Sequence, residues 1–135
     1  MYSIDHLGIA VKSLKQSKRF YEQLGIAVLP EEEVVQEKVR LAMVPVGESR
    51  IELLEPTADD SPIARFLAKR GEGLHHVCLA VNDLADTVER LKRDGVRLIN
   101  EEIQIGAGGH LYVFVHPSSA GGVLLELCED QPEGV

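Results

Sequence analysis

Two histidines and two glutamates recur at matched places along the 135 residues of this chain. His6 stands near the start of the apolar stretch Asp5-His6-Leu7-Gly8-Ile9-Ala10-Val11, and His76 stands in His75-His76-Val77-Cys78-Leu79-Ala80-Val81, 70 residues further on. Glu52 lies in Ile51-Glu52-Leu53-Leu54-Glu55, and Glu126 lies in Leu125-Glu126-Leu127-Cys128-Glu129, 74 residues further on. Imidazole and carboxylate together suit a divalent transition metal (Zn, Co, Ni, Mn or Fe(II)) and leave coordination positions open for substrate.

Strand geometry supports the grouping. Alternate residues of a strand share a face, so His6 lies with Gly8 and Ala10, and His76 with Cys78 and Ala80. Small neighbours leave a concave space before each imidazole. Glu52 shares its face with Leu54, and Glu126 with Leu124 and Cys128. A carboxylate among inward aliphatics is costly to bury unless it is paired or metal-bound. By the same parity Asp5 and His75 point away. A lone strand His or Glu would be an ordinary core or surface group; the symmetric set of four is what argues for a metal. His75 and His110 are read first as surface groups and second as supports to the site. His116, before Pro117, marks a strand end near the site.

The repeat also sets the elements that must hold these groups. Ser13 with Gln16 reads as a capping box opening a helix that stops at Gly25, and Asp83 opens its counterpart, which stops at Gly95. Strands are expected over 26–29, 38–46 and 50–55 in the first half, and over 96–100, 110–116 and 122–128 in the second. Between the halves, Ser61-Pro62 begins a short helix over 63–70. Each half reads as strand, helix, then three strands. The fold class is therefore α+β: two paired βαβββ modules forming a curved eight-stranded sheet. Residues 1–129 form a single domain, with modules 1–56 and 74–129 joined by a linker helix segment 57–73, and 130–135 make an acidic tail.

Composition narrows the function. With a net charge of −8, nucleic acid is not an expected partner, since phosphate binding needs a basic surface. An anionic substrate would need a locally positive site, which a divalent ion supplies. No apolar run reaches the roughly 20 residues of a membrane span, and the opening residues lack a signal-peptide pattern. No membrane association and a cytoplasmic location are expected, with Cys78 and Cys128 as small buried hydrophobes in a reducing compartment.

Several stretches together resemble a known family. The opening Asp5-His6-Leu7-Gly8-Ile9-Ala10-Val11, with Phe20-Tyr21 and Leu24-Gly25, resembles vicinal oxygen chelate (glyoxalase-like) proteins. Glu52-Leu53-Leu54-Glu55-Pro56, Ser61-Pro62-Ile63-Ala64, Phe66-Leu67, Gly71-Glu72-Gly73-Leu74-His75-His76, Gly106-Ala107-Gly108-Gly109, His116-Pro117 and residues 122–128 resemble the methylmalonyl-CoA epimerase family within it. The resemblance covers residues 5 to about 129. It implies a cup built from the two modules around a divalent metal, with cobalt first and zinc, manganese or nickel as alternatives. It implies a homodimer acting on a small-molecule acyl-CoA in propionate metabolism. The ligands carry over to His6, Glu52, His76 and Glu126. The implied reaction interconverts (2R)- and (2S)-methylmalonyl-CoA by removing the C2 proton, with the metal stabilising the enolate.

The chain departs from part of the family. Some members carry a glutamate base in the strand before Pro45. Aligned on Gln36 and Pro45, that position is Arg40, which cannot act as a base. Either Glu37 or another carboxylate substitutes, or Glu126 or a metal-bound water takes part, with Glu126 as ligand and base preferred; Arg40 is read as a contact for the substrate carboxylate or as a surface residue. Ser118 stands where relatives often carry a lysine. Gly106, Gly108 and Gly109 are expected to offer backbone N–H groups to an anionic ligand. Another metal-chelating lyase or isomerase of the glyoxalase type would share the four ligands. A ring-cleaving dioxygenase, a binding module on the same fold, and a purely structural metal fit the motifs less well.

Overall fold

The computed structural model of the chain describes residues 2–129; the acidic tail expected over 130–135 lies outside the described residues. Eight strands are hydrogen-bonded in the order β2-β3-β4-β1-β5-β8-β7-β6 and are accompanied by three helices, as the α+β reading expects. Contacts gather into two compact units. One is His6–His75; the other takes the described residues before 6 and from 76 onward.

The first unit contains most of β1 (Ser3–Ala10), with α1 (Leu14–Gln23), β2 (Glu32–Val34), β3 (Val39–Val46), β4 (Ser49–Pro56) and α2 (Pro62–Arg70). β1 pairs with β4 in parallel, and β3 pairs antiparallel with β2 and β4. Register sorts the side chains into two faces. Ile9, Val11, Ala42, Val44, Ile51 and Leu53 turn one way and pack with Leu14 and Tyr21 of α1. His6, Gly8 and Ala10 turn the other way with Glu52 and Leu54 of β4 and with Leu41 and Met43 of β3.

The second unit contains β5 (Gly73–Ala80) from His76 on, α3 (Leu84–Arg93), β6 (Gln104–Ile105), β7 (Leu111–Val115) and β8 (Leu125–Glu129). Val81, Val113, Val115 and Leu127 pack with Leu84 and Val88 of α3. The opposite face carries Cys78, Tyr112 and Cys128, with Ala80 and Phe114 packed against them.

The helices start and stop where the sequence signals place them. The Ser13 hydroxyl accepts from the Gln16 N–H, and the Asp83 carboxylate accepts from the Asp86 N–H. Gly25 and Gly95 take φ of +90° and +76° beyond the helix ends, a conformation glycine adopts without a Cβ penalty. The second glutamate of each repeated stretch has a structural task. Glu55 accepts from the Leu14 N–H at 3.3 Å, and Glu129 from the Leu84 N–H at 2.7 Å. Each places a carboxylate at a helix N-terminus, where exposed N–H groups and the helix dipole favour negative charge.

Two expected strands are corrected. Residues 26–29 and 96–100 form no ladder; β2 and β6 are the edge strands instead. Ile26 and Val28 owe their apolar pattern to packing beside α1, and Val96 and Leu98 to packing beside α3. Residues 26–29 reach β3 through the Leu29 N–H to Met43 O bond at 2.9 Å, and residues 96–100 make an isolated bridge from Leu98 to Val115, with Ile99 N–H donating to Phe114 O and His116 N–H to Arg97 O, both at 2.8 Å.

Candidate metal centre

Each unit carries a buried histidine–glutamate pair. In the first, His6 on β1 and Glu52 on β4 meet at 3.4 Å between Nε2 and Oε1. The register that sets Gly8 opposite Glu52 leaves the glutamate beside a residue without a side chain. In the second, His76 on β5 and Glu126 on β8 meet at 3.0 Å, again Nε2 to Oε1. His6, Glu52, His76 and Glu126 retain 0%, 6%, 3% and 5% of their surface, so two carboxylates stand where burial alone would be costly.

One donor atom from each of these four residues lies within 4.8 Å of all the others. Donors held at about 2.0–2.2 Å from one ion stand roughly 3 Å apart when adjacent and roughly 4.2 Å apart when opposed. The 3.0 and 3.4 Å pairs match the first spacing. The donor set thus fits a divalent ion in its chemistry and in the spacing of each histidine–glutamate pair, and these four residues could hold one.

The surroundings of the two glutamates differ. Beside Glu52 on the same face stand Met43 and Leu41, both aliphatic. Beside Glu126 stand Phe114 and Tyr112. His76 meets Phe114 edge-on at 5.5 Å between ring centroids, and Phe114 meets Tyr112 at 5.7 Å. His110 is buried to 8%, and its Nε2 lies 3.7 Å from Glu126 Oε2. His110 is the buried neighbour of Glu126 that the sequence reading assigned first to the surface. Parity offered the signal: 110, 112 and 114 share one face. The decisive fact was the register that sets Phe114 opposite Glu126.

Other expected residues lie elsewhere. Arg40 is half exposed on the opposite face of β3 from Leu41 and Met43, among Glu31, Glu33 and Glu55 at 3.7–4.0 Å. Glu37 closes a short 3-10 turn ahead of β3. Asp5 corrects the parity argument: its carboxylate lies within 4.8 Å of donor atoms of His6 and Cys78. Alternation assigns faces, but a short carboxylate can still stand beside the ring of the next residue along a strand. His75 is half-buried, edge-on to Phe66 of α2 at 5.1 Å. His116 accepts the Ser118 N–H on its Nδ1 at 3.0 Å, which caps a short 3-10 turn.

In the glycine turn, two of the three expected N–H groups already have partners. The Gly106 N–H donates to His110 O at 2.8 Å and the Gly109 N–H to Gly106 O at 3.0 Å. Both groups are committed inside the β6–β7 hairpin and are not available to an anion.

Residues 5–114 match the model of the Glyoxalase/Bleomycin resistance protein/Dioxygenase superfamily. The chain belongs to that superfamily. Within it, the chain is 40% identical over 126 residues to the mitochondrial methylmalonyl-CoA epimerase of Bos taurus, covering 92% of this chain and 72% of the bovine one. The crystal structure of methylmalonyl-CoA epimerase from Mycobacterium tuberculosis superposes with a TM-score of 0.91 at 37% identity, covering 96% of this chain and 89% of that one. A methylmalonyl-CoA epimerase in complex with methylmalonyl-CoA and NH4+ superposes at 0.89 with 35% identity, covering 96% and 97%. These superfamily relatives are isomerases by name, and the last was captured with its acyl-CoA. Among the described residues, no helix is long and apolar enough to cross a membrane.

Proposed function

We propose that this protein is a metal-dependent methylmalonyl-CoA epimerase, with His6, Glu52, His76 and Glu126 holding the ion and cobalt as the first candidate metal. The observation that carries the reading is the buried two-histidine, two-glutamate donor set in a chain similar to epimerases over nearly its whole length. The C2 proton of methylmalonyl-CoA is flanked by a thioester and a carboxylate, so its removal leaves negative charge on oxygens suited to chelation. A divalent ion bound here supplies Lewis-acid stabilisation of that charge as the proton leaves.

The residues of the chain do the rest. Glu126 takes the C2 proton on Oε2, the oxygen turned from His76 toward His110. Phe114 and Tyr112, beside Glu126 on β7, keep bulk water from its side of the site. The β3 face next to Glu52 offers Leu41 and Met43 and no proton-transfer group, so in this reading Glu126 takes the proton from one face and returns it to the other after the enolate has turned over within the site. The placement of Arg40 among three carboxylates does not support a contact with substrate.

The test is deuterium uptake at C2 of methylmalonyl-CoA in D2O, comparing metal-loaded with chelator-stripped protein. Rapid metal-dependent uptake with interconversion of the epimers is expected. Cobalt-, zinc- and manganese-loaded protein without exchange would refute the assignment and favour another chelating reaction of the superfamily, with a thiol–methylglyoxal adduct as the next substrate to try.

A further inference from the structure

The two halves carry the same ligand types but differ in the side chains beside them, and one difference is polar. Register equates Glu52 with Glu126, Met43 with Phe114 and Leu41 with Tyr112. Two residues earlier on the same faces stand Val39 in the first half and His110 in the second. Both are buried, at 4% and 8%. A buried imidazole thus replaces an aliphatic side chain on one side only. It turns Nε2 toward Oε2 of Glu126 while His76 faces Oε1. The two oxygens of one carboxylate are divided between two imidazoles.

The hairpin is shaped to admit this ring. Gly106 faces His110 across the β6–β7 turn, its N–H bonded to His110 O. A Cβ at Gly106 would stand 2.9 Å from Cε1 of Tyr112 and 3.4 Å from Nε2 of His110. Its backbone is extended, with φ of −112°, so any residue could adopt it. Glycine is needed here for room alone. The rings of His110 and Tyr112, whose centroids are 6.0 Å apart, lean over the vacant position.

The geometry points to His110 as a positioning residue: through its Nε2 it orients the Glu126 carboxylate, leaving Oε1 to the metal, and Gly106 provides the space it occupies. This rests on the ligand assignment proposed above. At 3.7 Å the contact is longer than a hydrogen bond, and such contacts often shorten once the reacting complex has formed. Partners that orient a ligand in this way typically change metal affinity or turnover by about 10- to 100-fold when removed.

The test uses cobalt affinity, measured by competition with a chelator, together with kcat and KM for epimerisation at saturating cobalt. His110→Ala is expected to weaken cobalt binding by about tenfold and to lower kcat while KM moves by less than about twofold. His110→Gln keeps an N–H donor and is expected to recover most of both losses. Gly106→Ala, which pushes on the Tyr112 and His110 rings without removing either, is expected to weaken cobalt binding in the same direction. Cobalt affinity of His110→Ala within about twofold of wild type would overturn the inference. So would equal loss in His110→Gln and His110→Ala, since that would mark a packing effect, or an unchanged affinity in Gly106→Ala. If His110→Ala does not fold, the other two variants decide. Cobalt-loaded wild type that leaves methylmalonyl-CoA untouched would sink the epimerase reading, while the affinities would still decide the role of His110.

Discussion

Glu126→Gln compared with Glu52→Gln separates holding the metal from moving the proton. Glutamine matches glutamate in volume, so neither substitution opens a cavity. Both positions are more than nine-tenths buried, so the lost charge is felt in a weakly screened environment. A charge-assisted contact contributes about 1.5–3 kcal/mol, or roughly 10- to 150-fold in an equilibrium constant. Each glutamate would meet the ion as a charged ligand, so both substitutions are expected to lower metal affinity by about 10- to 100-fold. At saturating metal the affinity effect disappears and the proton-transfer effect remains, about 10²- to 10⁴-fold for a general base. The assay is C2 deuterium exchange as a function of cobalt concentration, extrapolated to saturation. Glu126→Gln is expected to fall at least about 100-fold there, and Glu52→Gln less than about tenfold. Exchange by Glu126→Gln within about threefold of wild type would refute its role as base, and equal plateau losses in both variants would show that the two carboxylates share the work.

The symmetric caps should prove unequal. Glu129→Ala removes a 2.7 Å bond to the N-terminus of α3 and should cost about 1–2 kcal/mol, while Glu55→Ala removes a 3.3 Å bond to α1 and should cost about half as much. In thermal unfolding these are drops of roughly 4–8 °C and roughly 2–4 °C; the reverse order would contradict the account. His76→Ala should lower bound cobalt below one equivalent in a dialysed sample, and an unchanged stoichiometry would remove His76 from the site. Its hydrogen bond with Cys128, together with burial, pushes the Cys78 thiol far above its ordinary value of 9.0. The fold therefore keeps that thiol protonated while the unfolded chain ionises it. Stability should hold constant below about pH 9 and fall above it, by no more than about 1.4 kcal/mol per pH unit for this group. A urea midpoint equal at pH 8 and pH 10, or rapid reaction of either thiol with a disulfide reagent in the folded protein at pH 8, would contradict the buried thiol pair.

What the sequence by itself determined is everything governed by short-range pattern and by repetition. Alternation in residues 6–10 and 76–80 assigned both histidines to the small-residue face, and the structure buries them there. Ser13, Gly25, Asp83 and Gly95 bounded α1 and α3 because capping depends on a few neighbouring backbone groups. The 70- and 74-residue spacings matched the two glutamates to the two histidines without knowledge of register.

Only the tertiary structure decided which strand lies beside which, and that choice controlled the rest. An apolar alternation such as Ile26-Ala27-Val28 can pack beside a helix or join a ladder, and the pattern is the same in both cases. The second glutamates, Glu55 and Glu129, look like further site residues in sequence. They cap helices because a shift of three positions along a strand turns a side chain to the other face. Arg40 turned outward and His110 inward for the same reason, once long-range pairing had set Met43 opposite Glu52 and Phe114 opposite Glu126. Local sequence carries the period of an element; its register comes from contacts between residues far apart in the chain, and the chemistry of this site rests on that register.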